Sequence, residues 1–342
     1  MQTDERLAQR LKTHVEEMGL FRCPIQKYPP SIPPYTHYGY EHAQEYIERQ
    51  LSANRIPFHR QPVMAEGQTF YNIITKINGD QPILVLTAHY DTAYLCAGAD
   101  DNGSSVAVLL ELIRVLKPAE LPVQFVFFTL EEGDLEYLRL QEKAWIQLVL
   151  EMRKEEGKRK GDRKTVELAF DKDDIWKHAF VGSRAFVKAN RKTLKQAKGV
   201  INLESVGYYS SEEGSQEDTS DGLFPTTGDF LAIICNNQSL KIAERCCNEG
   251  QKYAFPFHKI QEEEKPKENL LWRTDHIPFW KADIPAITLT DTLERRYKYY
   301  HMPLDLPKEL DYEKMAKLVK ILASVIKISL QEEEGKAKSP EK

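Results

Sequence analysis

The chain has 342 residues, a net charge of -5 and a pI near 6.1; 41% of its residues are hydrophobic and 29% are charged. This composition fits a soluble globular protein with a large core and argues against nucleic-acid binding, which would favour a basic face. No apolar run reaches transmembrane length, and residues 1–20 lack the apolar core of a signal peptide. We therefore expect a cytoplasmic protein that has neither nucleic acid nor membrane as a partner.

The hydrophobic pattern predicts alternating helices and strands, because apolar residues recur at helical spacing in some segments and form continuous buried runs in others. In chain order we expect a helix over 6–18, a proline-rich connector over 28–35, a helix over about 39–54, strands near 69–78 and over 82–88, a helix over 104–116, strands over 123–130, 199–203 and 284–290, and a helix over 312–330. The charged tail after Gln331 is expected to be disordered. The sequence thus predicts one α/β domain over 1–330, with a mixed, mostly parallel central sheet and helices on both faces.

Four of the predicted strands lead into side chains of metal-binding types. Open α/β sheets bind their ligands at the carboxyl ends of the strands, so these side chains are expected to meet at one edge. Imidazole nitrogens and carboxylate oxygens in that place suit a divalent metal such as zinc. The residues that follow the four strands are His89 with Asp91, Glu131 with Glu132, Glu204 and, in a polar loop beyond the last strand, His301.

A glycine-flanked turn between the first two of these strands carries two adjacent aspartates. Asp100 is the candidate oxygen ligand, whereas Asp101 is interpreted as a structural residue of the tight turn. Cys96 precedes the turn and is interpreted as a small buried thiol rather than a further ligand. An odd count of five cysteines without a signal sequence argues against a disulfide framework.

Together these motifs resemble the co-catalytic zinc aminopeptidase family, which includes secreted bacterial leucine aminopeptidases, glutamate carboxypeptidase and glutaminyl cyclase. The segments that carry the resemblance are AHYDT (88–92), GADDNGSSVAVLLELIRVL (98–116), FVFFTLEE (125–132), INLESVGYYS (201–210), TDHIPFW (274–280), IPAITLTDT (284–292) and YYHMPLDLPKELDY (299–312). The HYD, GADDN and EE segments are the most specific when taken together.

The resemblance implies two zinc ions per chain and a role for each motif. Asp100 would bridge the metals, His89 and Glu204 would complete one site, and Glu132 and His301 would complete the other. Many family members have aspartate in the place of Glu204. Asp91 would orient His89 and raise its basicity. Glu131 would take a proton from the bridging water and pass it to the leaving amine. Asp91 and Glu131 are therefore the catalytic candidates.

The segment over about 133–177 departs most from the resemblance, since family members have only a short loop after the paired glutamates. Leu138, Trp145, Leu148 and Met152 make a helical stripe in it, and a charged run over 153–164 follows. This insertion is interpreted either as a lid or oligomer contact, because it leaves directly from the catalytic glutamate, or as a surface elaboration.

The leading functional hypothesis is a zinc-dependent aminopeptidase acting on short peptides. A carboxypeptidase or an N-acyl amino-acid hydrolase would use the same metal core, and a glutaminyl-cyclase-like transferase would use a single zinc. A protein that only binds is disfavoured, because all five ligand positions and the base keep suitable side chains. Zinc is the default metal, although cobalt or manganese would suit the same ligands. The pattern leaves the oligomeric state open.

Overall fold

In the part of the chain that the structure describes, eight strands form one mixed central sheet. The computed structural model describes residues 2–25, 39–79, 82–117, 121–155, 177–217, 222, 224–261 and 273–337. The strands are β1 (Phe58–Ala65), β2 (Gln68–Thr75), β3 (Leu84–His89), β4 (Val123–Phe128), β5 (Gly199–Glu204), β6 (Leu231–Cys235), β7 (Phe257–Gln261) and β8 (Ala286–Thr290). They are arranged in the order β1–β2–β4–β3–β5–β8–β6–β7.

The centre of the sheet is parallel. Strands β4, β3, β5 and β8 run in one direction, while β2 joins β4 and β6 joins β8 in antiparallel pairs. Every residue of β3, β5 and β8 is buried. Strands covered on both faces bury successive side chains on opposite sides, which explains why apolar residues predominate in these runs of the sequence. The predicted mixed, mostly parallel sheet is confirmed.

Helices cover both faces of the sheet. They are α1 (Gln2–Met18), α2 (Tyr40–Ala53), α3 (Ser105–Leu116), α4 (Leu135–Glu155), α5 (Val181–Leu194), α6 (Leu240–Lys252), α7 (Ile277–Lys281) and α8 (Tyr312–Ala337). On one face Leu84 and Leu86 of β3 share a core with α1, α2, α3, α6 and α8. On the other face Val85 packs in a core with α5 and α7. None of the helices in the described ranges is long and apolar enough to cross a membrane.

Parts of the fold differ from the prediction. Strands β1, β6 and β7 were not predicted, and α8 extends beyond its expected end to Ala337. Glu332, in the stretch expected to be disordered, contacts Arg245 of α6 at 2.5 Å and Lys241 at 3.4 Å. These ion pairs connect the last turns of α8 to α6. The charged composition of this stretch therefore did not by itself indicate disorder. The proline-rich connector over 28–35 lies outside the described residues.

The insertion begins with a helix, as its stripe predicted. Leu135 and Leu138 of α4 are buried, whereas Leu140 and Ile146 are exposed. Of the charged run over 153–164, all but the first three residues lie outside the described ranges.

Candidate metal centre

The parallel strands bring three of the motifs to one edge of the sheet. His89 is the last residue of β3, Glu204 is the last residue of β5, and the paired glutamates follow β4. Because β4, β3 and β5 are neighbours in that order, the side chains at their carboxyl ends lie next to one another. His301 reaches the same place from the loop that follows β8.

Asp101, and not Asp100, lies between the other candidate ligands. One carboxylate oxygen of Asp101, Oδ1, is 3.3 Å from His89 Nε2, and the other, Oδ2, is 3.1 Å from His301 Nε2. Glu204 Oε1 is 3.1 Å from His89 Nε2, and Glu132 Oε2 is 3.1 Å from His301 Nε2. The five side chains therefore form two groups that share Asp101: His89 with Glu204 on one side, and His301 with Glu132 on the other.

The assignment of Asp100 as the bridging residue is therefore corrected. Asp100 Oδ1 accepts a hydrogen bond from the Gly207 amide at 2.8 Å, and the carboxyl group lies beside Asp291. The backbone between the two aspartates is not helical, so their side chains point in different directions. The peptide bond after Asp101 is cis. Asp101, which the sequence analysis interpreted as a structural residue, occupies the central position of the cluster.

Several buried atoms of this cluster lie close to one another but lack the angles of a hydrogen bond to any described residue. They are both oxygens of Asp101, Oε1 of Glu132, Oε2 of Glu204 and Nε2 of His301. Unpartnered polar atoms are costly in a protein interior unless an ion or water satisfies them. Two zinc ligands at bond lengths of about 2.0–2.1 Å and a tetrahedral angle lie about 3.4 Å apart. The observed separations of 3.1–3.3 Å are close to this value, so the donor set fits zinc.

Burial and neighbouring charges shift the pKa values of Glu204 and His301 in opposite directions. Burial raises the pKa of Glu204 to about 8, although His89 opposes the shift. Burial alone would lower the pKa of His301, but Glu132 and Asp101 outweigh it and raise that pKa to about 10. Metal binding requires deprotonated ligands, so zinc would displace these protons.

Glu131 lies beside the cluster, but it does not belong to either of the two groups that share Asp101. Its Oε2 is 3.9 Å from His89 Nε2, beyond ordinary hydrogen-bond distance. Burial raises the pKa of Glu131 well above its usual range, Glu204 adds to this shift and His89 opposes it. A buried carboxyl with a raised pKa takes up a proton more readily than an exposed glutamate, which suits a group that transfers protons.

Asp91 holds the backbone of the glutamate pair. Its carboxylate oxygens accept hydrogen bonds from the amides of Glu131 and Glu132, each at 3.2 Å. The expected bond to His89 is less direct, since Nδ1 of His89 is 3.6 Å from the Asp91 carboxylate and 3.2 Å from the Asp91 carbonyl oxygen. Asp91 therefore joins the ends of β3 and β4, which fixes Glu131 and Glu132 relative to His89.

Asp305, which the sequence analysis did not single out, holds the aspartate turn to the loop of His301. Its carboxylate accepts hydrogen bonds from the amides of Asp100 at 2.9 Å and Asp101 at 3.1 Å. Cys96 Sγ lies 3.9 Å from the same carboxylate and outside the clusters of possible metal ligands, as expected for a buried thiol. The signal for Asp305 in the sequence was its place in the segment over 299–312, four residues after His301.

Asp275 is a further buried carboxylate near the cluster. Both of its oxygens lack a hydrogen-bond partner among the described residues, and it does not cap α7, which begins at Ile277. Burial raises the pKa of Asp275 to about 7, while His89 opposes this shift and Asp91 and Glu132 add to it. The side chain of His301 is 30% exposed, so the cluster is open to solvent on that side.

Comparison with known proteins gives matches over most of the chain. Residues 72–326 match the family model described as Peptidase family M28. The uncharacterized protein YfbL of Escherichia coli (strain K12) is 28% identical over 293 residues, which cover 80% of this chain and 76% of that protein.

Solved structures share the fold at low sequence identity. A glutaminyl cyclase from an Acidobacteriales bacterium is 15% identical with a TM-score of 0.59, and the match covers 95% of each chain. A Zn-dependent exopeptidase from Parabacteroides distasonis is 17% identical with a TM-score of 0.59, covering 93% of this chain and 97% of that one. Because the family match spans 72–326 of 342 residues and includes every candidate ligand, the chain belongs to peptidase family M28.

Proposed function

We propose that the chain is a zinc-dependent aminopeptidase that binds two zinc ions and removes N-terminal residues from short peptides. The observation that carries this proposal is the division of the Asp101 carboxylate between two imidazole–carboxylate pairs. One carboxylate shared by two otherwise complete donor sets is the arrangement that a two-metal hydrolase needs. His89 and Glu204 would hold one zinc and His301 and Glu132 the other, with Asp101 common to both.

Glu131 is the proton carrier in this proposal. Bound zinc would supply Lewis-acid activation of water and of the scissile carbonyl. Glu131 lies 3.9 Å from His89 and is not one of the residues that share Asp101, so in this proposal its carboxylate accepts the proton of the attacking water and passes it to the leaving amine. Asp91 keeps Glu131 in place through the backbone amide of that residue.

The charge of the site favours a substrate with a free amino terminus. Glu131 and Asp275 are buried carboxyl groups in addition to the three carboxylate ligands. The nearby Arg273 is held by Glu294 at 2.5 Å, which leaves its guanidinium partly neutralised. The charge of two bound zinc ions would offset the three carboxylate ligands, so Glu131 and Asp275 are the carboxyl groups left to attract the ammonium group of a substrate and to repel the carboxylate of a carboxypeptidase substrate.

The two adjacent glutamates provide the test. Glu131→Gln is expected to keep two equivalents of zinc and to lower kcat on aminoacyl chromogenic substrates by about 10²–10⁴-fold, the range of general-base catalysis. Glu132→Gln is the matched control, because it removes a ligand one residue away and is expected to lower zinc content as well as activity. Zinc is measured by elemental analysis of the purified proteins.

The proposal would be contradicted if Glu131→Gln hydrolysed these substrates at the wild-type rate. Release from N-blocked substrates with a free carboxyl terminus, and none from aminoacyl substrates, would favour the carboxypeptidase alternative. Cyclisation of N-terminal glutamine by a protein with one zinc would favour the cyclase alternative, whose fold this chain shares.

A further inference from the structure

Arg22 is a fully buried cation that follows α1. Its described partners are three backbone carbonyl oxygens and no carboxylate: Nε donates to Tyr90, Nη1 donates to Gly19 and Nη2 donates to Gly98, each at 2.7 Å. A buried charge is costly unless hydrogen bonds satisfy it, and here the three carbonyl oxygens satisfy the guanidinium of Arg22.

Two of these carbonyls belong to the segments that carry candidate ligands. Tyr90 lies between His89 and Asp91, and Gly98 opens the turn that leads to Asp101. The guanidinium is planar and rigid, so one side chain fixes the distance between the two segments. The third carbonyl, at Gly19, ties this group to the end of α1.

The surrounding packing allows little movement. The Phe21 amide donates to the Ala97 carbonyl at 3.0 Å, which is a second link between the segment after α1 and the aspartate turn. Gly98 has a φ of +77°, and a Cβ there would lie 2.2 Å from Thr92 and 3.0 Å from Nη2 of Arg22. The turn and the guanidinium are therefore in direct contact without spare space.

We propose that Arg22 is a positioning residue of the metal centre, which holds the His89 and Asp101 segments at the spacing that two metal ions require. This inference rests on the proposed function in one respect, that these residues bind zinc. Arg22 lies before residue 72, outside the part of the chain that matches the family model. The segment after α1 therefore completes a site whose ligands all come from the matched part.

The test compares zinc affinity in Arg22→Met, Arg22→Lys and the wild type, by chelator competition on folded protein, with a thermal midpoint for each. Loss of groups that orient metal ligands lowers metal affinity by about 10–100-fold, and we expect a loss in this range for Arg22→Met. Lysine keeps the charge but cannot span three carbonyls as a rigid fork, so Arg22→Lys is expected to weaken zinc binding too.

Arg245→Met is the matched control. Arg245 is another largely buried arginine, which contacts Ser329 and Glu332 of α8 away from the metal centre. Its replacement is expected to lower the thermal midpoint and to leave zinc affinity unchanged. A change of zinc affinity in this control equal to that in Arg22→Met would overturn the proposal, because stability alone would then explain the effect.

The proposal would also be overturned if Arg22→Lys and Arg22→Met both bound zinc with wild-type affinity. If Arg22→Met does not fold, the zinc affinity of Arg22→Lys alone tests the proposal. A wild type that binds no zinc would overturn both this inference and the proposed function. A wild type that binds zinc but hydrolyses no peptide would contradict the proposed function only, since the readout here is zinc binding.

Discussion

At the scale of single residues, Asp100 and Asp101 have separate tasks in one turn. Asp101 faces both histidines, whereas Asp100 accepts a hydrogen bond from the Gly207 amide and connects the turn to the segment after β5. Asn102 strengthens this connection, since its side chain donates to the Leu203 carbonyl and accepts from the Ser205 amide, each at 3.0 Å. The turn is thus fixed on one side while its second aspartate stays available to metal.

Replacement of each aspartate by asparagine separates the two tasks. Asp101→Asn is expected to lose bound zinc at both positions, because the shared carboxylate contributes a donor to each. Asp100→Asn keeps the ligand set and is expected to retain two equivalents at saturating zinc. Elemental analysis after removal of excess metal gives the stoichiometry of both variants. Two equivalents of zinc in Asp101→Asn, with loss in Asp100→Asn, would restore Asp100 as the bridging residue.

The sequence could identify the acidic pair but could not choose between its members. Both aspartates have the same side chain and adjacent positions, and the choice depends on the backbone angles of a non-helical turn, with φ of -100° and ψ of 92° at Asp101. The residues at strand ends were easier to predict, because a strand's direction fixes where His89 and Glu204 lie. Arg22 and Asp305 act through backbone groups, which leaves no recognisable motif.

At the scale of elements, α1 and α3 are joined by a buried charge cluster. Glu111 of α3 is fully buried and contacts Arg10 and His14 of α1, at 3.0 Å and 3.2 Å, and Arg114 at 2.8 Å. Burial alone would raise the pKa of Glu111, but the hydrogen bonds from His14, Arg10 and Arg114 lower it to about 2 from its ordinary value of 4.5.

This cluster makes stability depend on pH. Because the folded-state pKa of Glu111 is lowered, its contribution is fully present above about pH 4.5 and is lost as pH falls toward about 2. Glu111→Gln is expected to lower the free energy of unfolding by roughly 1–3 kcal/mol at pH 7, since the two arginines are partly exposed and screened, and by less at pH 3. Urea unfolding at both pH values measures the difference.

Glu16→Gln is the control for this prediction. Glu16 pairs with Lys12 at 3.8 Å on the exposed side of α1, and exposed pairs contribute little. An equal effect of Glu111→Gln at pH 7 and pH 3 would show that packing rather than charge makes the contribution.

Helix α4, in the segment that the resemblance interprets as an insertion, is connected to the turn between His89 and the aspartates. The Tyr94 amide donates to the side chain of Gln141 at 3.1 Å, and the Tyr94 hydroxyl donates to Glu142 at 3.4 Å. The helix therefore packs against the turn that precedes the aspartates, and the choice between a lid or oligomer contact and a surface elaboration stays a prediction.

Two leucines of α4 test this packing. Leu138 is fully buried and Leu140 is 39% exposed. Leu138→Ala is expected to lower the free energy of unfolding by about 2–5 kcal/mol, whereas Leu140→Ala should change it by less than about 0.5 kcal/mol. Equal small effects in urea unfolding would mean that α4 contributes nothing to the folded core.

The helices and strands that were predicted are those in which apolar residues recur at a regular spacing or form a long continuous run. The central strands and the helices α1, α3 and α8 have these patterns along most of their length. Strand β1 lies at the sheet edge and has only two buried positions among its eight residues. Strand β6 is an apolar run of five residues, a pattern that is typical of both a buried strand and a buried helix. Their assignment depends on pairing with β2 and β8, which only the tertiary structure decides.

At the scale of the whole molecule, the sheet gathers a site from distant parts of the chain. His89 and His301 are 212 positions apart (301 − 89), yet both contact Asp101. Parallel strand order brings the ends of β4, β3 and β5 together, and the loop after β8 completes the site. The sequence pattern predicted the fold class and the sheet edge that carries the site, whereas the strand order and the choice between Asp100 and Asp101 depend on the tertiary structure.

The most direct test of the account is a zinc titration of the metal-free protein, with activity on aminoacyl chromogenic substrates followed at each step. The shared position of Asp101 predicts two bound equivalents of zinc and full aminopeptidase activity only when both are present. Saturation at one equivalent, or two equivalents without release of an N-terminal residue, would contradict the account.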